Sequence, residues 1–397
     1  MTWLEGNANS LPLPAGFEAA LPVLAMGAEL KSRFCILSDG SASLSQPIGE
    51  LGDAAAYARY TLSVAQCLEH CNAEPKHIAV DLHPDYRSTR HGEHIAKARG
   101  LPLVGVQHHH AHVAACMAEN GVALDEAPVL GIALDGLGFG DDGHLWGGEF
   151  LRVDYRRCQR LASFKPVALL GGEQAMRQPW RNTYAHLMAA MGWQRFADEY
   201  RGLELREFLQ SKPRTVLDGM LSGAINSPLA SSAGRLFDAV AAAAGICREQ
   251  AAYEGQAAVE FEALCDASDA NDTSDASDSE VYPFAIIVFA GLPCIDATPM
   301  WHALLTDLLH AGPLSQVSAR FHHGLAQAIV QMVEHLPHFH TVVLSGGVFQ
   351  NRVLRESLLH RLQRSGRSVF SHQRLPTHDG GLALGQAVVA AARTLPY

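Results

Sequence analysis

Short apolar runs alternate along this chain with stretches in which apolar residues recur every three or four positions, the pattern of α/β layers. Strands are expected at 77–82, 101–107, 129–135, 284–290 and 340–347, with a hairpin-like segment at 144–155. Helices are expected at 53–71, 88–99, 109–119, 231–245, 317–335, 351–364 and 381–393, where good helix formers carry the longer period. Several predicted strands end in an acidic or Gly–Gly turn, which is where open α/β sheets place ligands.

The chain has 397 residues, enough for two or three lobes with real cores. A formal charge of −11 and the lack of a Lys/Arg stripe exclude binding of nucleic acid by general phosphate attraction. Six of the 41 acidic residues fall in DASDANDTSDASDSE, residues 266–280, which reads as a disordered acidic insertion. The N-terminus has no basic segment followed by an apolar one, and no run of about 18 apolar residues occurs. A cytoplasmic protein without a membrane anchor is expected. Eight scattered cysteines without a CxxC pair form neither a disulfide framework nor a zinc ribbon, and Cys67 and Cys71 read as packed thiols on one helix.

Candidate chemistry begins at VQHHHAHVAA. Helical spacing puts His108 and His112 on one face within reach of one ion, and neutral imidazoles suit zinc or iron. Two ligands are not a site, so a structural or capping role stands beside the metal reading. In VLGIALDGLGFGDDGHLW an apolar strand delivers Asp135 into a glycine-rich turn, where Gly136, Gly138 and Gly140 allow close approach of an anion. TVVLSGGVFQN offers strand, Gly346–Gly347 turn and helix, so a phosphate or ribose fits against amides at the helix start. Asp379 precedes Gly380–Gly381 and another helix, a position that an N-cap explains equally well. Asp238, in SSAGRLFDAV, is either a ribose ligand or a surface carboxylate, and YEGQAA adds Glu254, Gly255 and Gln256.

Taken in order, VQHHHAH, ALDGLGFGDDGHLWGGEF, SSAGRLFDAVAA, YEGQAA, LSGGVFQN and HDGGLALGQA resemble the Kae1-like module of HypF-type carbamoyltransferases, from about residue 26 to the C-terminus. The resemblance implies an α/β fold of two ribonuclease-H-like lobes, at 1–127 and 128–397, around a nucleotide cleft, as in the actin/Hsp70/sugar-kinase superfamily. It implies one divalent metal, zinc or iron, held by His108, His112, Asp135 and Asp379, and an adenine nucleotide, ATP, AMP or carbamoyl-adenylate, held by Gly234, Asp238, Gly346, Gly347 and Asn351. Lys31 falls where the superfamily's first phosphate loop lies. His109 and His110 are then candidates to stand behind the ligands or to line the cleft and steer the carbamoyl group, with mere packing an equal alternative, and Arg177 joins them as a catalytic candidate. The family's REPWR stands here as RQPWR, so Gln178 lacks the usual carboxylate.

Full-length HypF proteins carry acylphosphatase, zinc-finger and YrdC-like domains ahead of this module. What the resemblance implies for the present chain is therefore the transfer step alone. The carbamoyl group would pass from carbamoyl-adenylate to the C-terminal cysteine thiol of HypE, for the cyanide ligands of NiFe-hydrogenase. A separate YrdC-like protein would supply the adenylate. An O-carbamoyltransferase acting on a small-molecule hydroxyl and a non-catalytic nucleotide-binding scaffold are the alternatives.

Overall fold

A computed structural model describes residues 10–71, 73–265 and 281–395. The acidic stretch 266–280 lies outside the described residues. Two sheets form the frame. The first contains β1 (Ser10–Pro12), β2 (Val23–Ala25), β3 (Cys35–Ser38), β4 (Ser41–Leu44), β5 (His77–Asp81) and β6 (Leu103–Val106), in the order β1-β4-β3-β2-β5-β6. The second is built on β7 (Val129–Phe139), β8 (Leu145–Val153), β9 (Cys158–Phe164), β10 (Val167–Ala168), β11 (Leu229–Ala230), β12 (Ala285–Phe289), β13 (Leu292–Asp296), β14 (Thr341–Ser345) and β15 (Ser368–Ser371). Its main path runs β12-β13-β9-β8-β7-β14-β15, and β10 and β11 attach beside β8.

The parallel neighbours β5, β6, β7 and β14 fall on apolar strands that the sequence pattern identifies, whereas β15, which pairs with β14, does not. The periodic helices also form where expected. Ala54–His70 starts at Asp53, which accepts from the Ala56 amide, and buries Ala56, Tyr60, Val64 and Cys67. The segment 144–155 is no hairpin: it is the single strand β8, and its turn is the tip 140–144 that joins it to β7. β7 itself runs through the glycines to Phe139, with an irregularity in pairing between Leu134 and Gly138. Asp135 sits at that bulge, a device that re-aims a side chain.

His108–Glu119 is buried on nearly every face and lies between the two sheets. The C-terminal helix Leu382–Thr394 packs along it, and a Cβ at Gly385 would stand 1.8 Å from the Ala111 carbonyl oxygen. The same helix packs against β2, β3 and β5. By packing, this helix goes with the first sheet, although it lies at the far end of the chain. No helix among the described residues is long and apolar enough to cross a membrane, and all eight cysteines are free.

Candidate functional site

Three segments converge between the sheets: the first turns of the histidine helix, the β7 bulge and the 3-10 turn Asp379–Gly381. They bring His108, His112, Asp135 and Asp379 together, with one donor atom of each within 4.8 Å of the others. His108 Nε2 lies 3.3 Å from Asp135 Oδ2 and 3.6 Å from Asp379 Oδ1; for His112 Nε2 the distances are 3.2 and 3.5 Å. Asp379 caps no helix: His378 caps the 3-10 turn by accepting from the Gly380 amide, and the helix that follows has Gly381 at its N-cap and no side-chain cap.

The charges are as informative as the distances. Burial opposes a proton on His108, yet Asp81, Asp135 and Asp379 outweigh it and hold the imidazole well above its usual range. His112 is raised in the same way, against its own burial, chiefly by Asp135. Burial likewise opposes ionisation of Asp135 and Asp379, but the two imidazoles hold both carboxyls well below theirs. A buried pair of carboxylates thus demands positive charge from its neighbours. His112 Nε2 makes no hydrogen bond despite its buried place among them. Two imidazole nitrogens, one of them this orphaned atom, and two carboxylate oxygens are a donor set that fits a divalent cation of the zinc or iron class.

Asp81, which sequence reasoning passed over, completes the arrangement. At the end of β5 it accepts from His108 Nδ1 at 2.8 Å, which turns Nε2 toward the cluster. The signal was present, since HIAVDL is one of the apolar strands with an acidic end.

Beyond the carboxylates opens a cleft of about 660 Å³, ample for a nucleotide. Lys31, Asp135, Gly234, Asp238, Gly347, Asn351 and Asp379 all line it. Among the described residues its only lysine and arginine are Lys31 and Arg235, against eight carboxylates. Lys31, in a left-handed conformation at φ 48°, reaches across to Glu254 at 3.0 Å. Asp238 pairs with Arg235 Nη2 at 2.9 Å, and burial nevertheless pushes its carboxyl up to about 6. Arg235 Nε and Nη1 make no hydrogen bond, a second feature that the sequence reading missed.

Other expectations change. His110 donates through Nε2 to the Asp154 carbonyl at 2.8 Å and is pushed down to about 4 by burial. His109 is buried against Gln107 and Trp146, and its pKa is held well below the usual range by burial and by His108. Neither lines the cleft. Arg177 is exposed and likewise outside it. Gln178 Oε1 accepts from Arg181 Nε at 2.6 Å.

The helix start after Gly346–Gly347 is not a free anion site. Glu262 Oε1 accepts from the Arg352 and Val353 amides, and Asn351 caps Leu354 while its Nδ2 donates to His322 Nε2. The Gly347 amide donates to Asp135 Oδ1, whereas Gly346 is outside the cleft, at φ 107° against the Leu134 carbonyl. Gly138 admits the His108 and His109 rings, and Gly140 admits Trp146, rather than a phosphate.

This α/β frame is similar to carbamoyltransferase Kae1-like domains. Residues 18–119 match the HypF Kae1-like domain, and residues 131–386 match the second subdomain of the carbamoyltransferase Kae1-like domain. The chain belongs to the HypF carbamoyltransferase family. It is 40% identical over 393 residues to carbamoyltransferase HypF of Rhodobacter capsulatus, covering 97% of this chain and 49% of that protein. It is 39% identical over 385 residues to a carbamoyltransferase HypF homolog of Cupriavidus necator, covering 96% of this chain and 93% of that one. A crystal structure of full-length HypF in its phosphate- and nucleotide-bound form superposes with a TM-score of 0.83 at 32% identity, over 96% of this chain and 56% of that chain. The chain thus spans about half the length of most of the curated relatives it matches.

Proposed function

We propose that this chain is a transfer module: it binds carbamoyl-adenylate in the cleft and passes the carbamoyl group to the C-terminal cysteine thiol of HypE. The observation that carries this reading is the convergence of His108, His112, Asp135 and Asp379 at the floor of a nucleotide-sized cleft, in a chain of this family. The nucleotide named for the solved HypF structure supports the same ligand class here.

In the reaction a bond forms between the thiolate sulfur and the carbamoyl carbon. The bond from that carbon to the phosphate oxygen breaks, and AMP leaves with the electron pair. A divalent ion held by the four side chains would supply Lewis acidity toward a carbonyl or phosphate oxygen. The chain's own residues do the rest. Asp81 fixes the His108 tautomer. Arg235 and Lys31 bring the cleft's only lysine and arginine charges among the described residues to the phosphate in an otherwise acidic cleft. Asp238 and Glu254 offer acceptors for ribose hydroxyls. Cys116 takes no part as nucleophile, for its thiol is buried and its pKa stands well above the usual range.

The test is the mass of HypE after incubation with this chain, ATP, carbamoyl phosphate and a separate YrdC-like protein. One carbamoyl group on the HypE tail is expected, only when the YrdC-like protein is present, and none with His108→Ala. An adduct formed equally well by His108→Ala would overturn the role of the site. Metal content unchanged in that variant, measured by elemental analysis, would remove the metal from it.

A further inference from the structure

Behind the cleft lies a buried group that the transfer reading does not use. Ser345 Oγ is 2.9 Å from His372 Nε2, and His372 Nδ1 is 2.7 Å from Glu119 Oε2. The three side chains are essentially sealed, at 0% exposure for Ser345 and 1% for each of the others. Serine, histidine and carboxylate in this order make hydrolytic triads. A hydrolase needs its hydroxyl at a surface or in a pocket. Here it is out of reach, and Ser345 Oγ also donates to the backbone carbonyl of His112 at 2.9 Å.

The partners show what the group connects. Glu119 ends the helix that carries His108 and His112. Its Oε1 accepts from the amides of Gln373, Arg374 and Leu375, the start of the loop whose far end bears Asp379. Burial alone would raise its carboxyl, but the His372 hydrogen bond and these amides hold it below its usual range. Asn120, next in the chain, donates to the Ser371 carbonyl at 3.1 Å. Ser345 ends β14, immediately before Gly346 and the Gly347 amide that donates to Asp135.

We infer that Ser345, His372 and Glu119 are positioning residues: a buried hydrogen-bonded strut that locks together the helix presenting His108 and His112, the loop that leads to Asp379, and the end of β14, beyond which the Gly347 amide holds Asp135. The inference rests on the reading of those residues as a cation site. Each bond ties a different pair of segments. Loss of any one bond lets a ligand-bearing segment relax by the fraction of an ångström that coordination does not tolerate.

Ser345→Ala removes only a hydroxyl, and Glu119→Gln is isosteric. With the full chain, Zn²⁺ affinity is measured by competition with a chromophoric chelator, and Co²⁺ absorption reports the coordination geometry. AMP affinity and thermal unfolding are measured on the metal-free protein. Both variants are expected to bind Zn²⁺ at least about tenfold more weakly and to shift the Co²⁺ bands, with AMP affinity unchanged within about twofold. A merely structural role would lower thermal stability and AMP affinity together and leave the Co²⁺ bands in place, and that result would overturn the inference. So would labelling of Ser345 by a fluorophosphonate, which needs an accessible nucleophile. A wild-type chain that takes up neither Zn²⁺ nor Co²⁺ overturns the cation site and the strut with it. Wild-type uptake with unchanged variants overturns the strut alone.

Discussion

His108 has two ring nitrogens, and which one faces the cluster is decided by Asp81. Removing that carboxylate's charge with Asp81→Asn weakens the demand for a proton on Nδ1. Zn²⁺ affinity should fall by about 10- to 100-fold in chelator competition. Equal affinities would mean that the tautomer is set elsewhere. Asp238 gives a pH signature. Burial raises its carboxyl to about 6, with the Arg235 charge opposing the rise. Above about 6 it is a carboxylate able to accept from hydroxyls, and below it is neutral. AMP affinity, titrated with a chelator present, should therefore decline as the pH drops through about 6, and Asp238→Asn should flatten that profile. Its effect on stability has the opposite sign. Because the folded carboxyl binds its proton more tightly than the ordinary value of 3.8, this group favours folding as the pH falls through the window from about 6 to 3.8.

Among the elements, the histidine helix depends on its neighbours more than on its own propensity. An all-round buried helix is held by close packing, and Gly385 of the C-terminal helix lets the two backbones touch. Gly385→Ala places a methyl against a carbonyl that cannot swing away. A loss of about 3 kcal/mol is expected in denaturant unfolding, the upper end for overpacking. A loss under about 0.5 kcal/mol would show that the helices separate without cost. The β7 bulge matters in the same way. Without the irregularity after Leu134, strand alternation would continue and the Asp135 side chain would not be re-aimed toward His108 and His112.

Across the whole molecule, the Lys31–Glu254 contact joins a loop of the first lobe to the segment before the helix Gln256–Glu262 of the second, over the cleft. Both side chains are more than a third exposed, so the ion pair itself contributes little, within about 1 kcal/mol. Lys31→Met should leave thermal unfolding nearly unchanged. It should lower AMP affinity, measured by calorimetry, because one of the two lysine and arginine charges that line the cleft among the described residues is gone. Unchanged affinity would confine Lys31 to its surface pairing with Glu254.

What the chain itself determined is its layers and its donor atoms. Short apolar runs and the three-to-four-residue period locate the apolar strands and amphipathic helices to within a few residues, because burial imposes both locally. The i, i+4 pair His108 and His112 follows from helix geometry alone. Less was legible where the outcome depends on contacts between distant residues. His109 and His110 have the same neighbours in sequence as the other two, yet one packs on Trp146 and the other bonds the Asp154 carbonyl. The Gly346–Gly347 helix start looks like a phosphate cradle until Glu262, some 90 residues away, takes its amides. Asp81, Glu119, Arg235 and Ser345 lie inside stretches that the pattern picks out, and His372 outside them, but nothing local marks the part that any of them plays. They acquire roles only when the fold encloses them, because an unpaired charge or donor is tolerable in water and costly in a sealed interior.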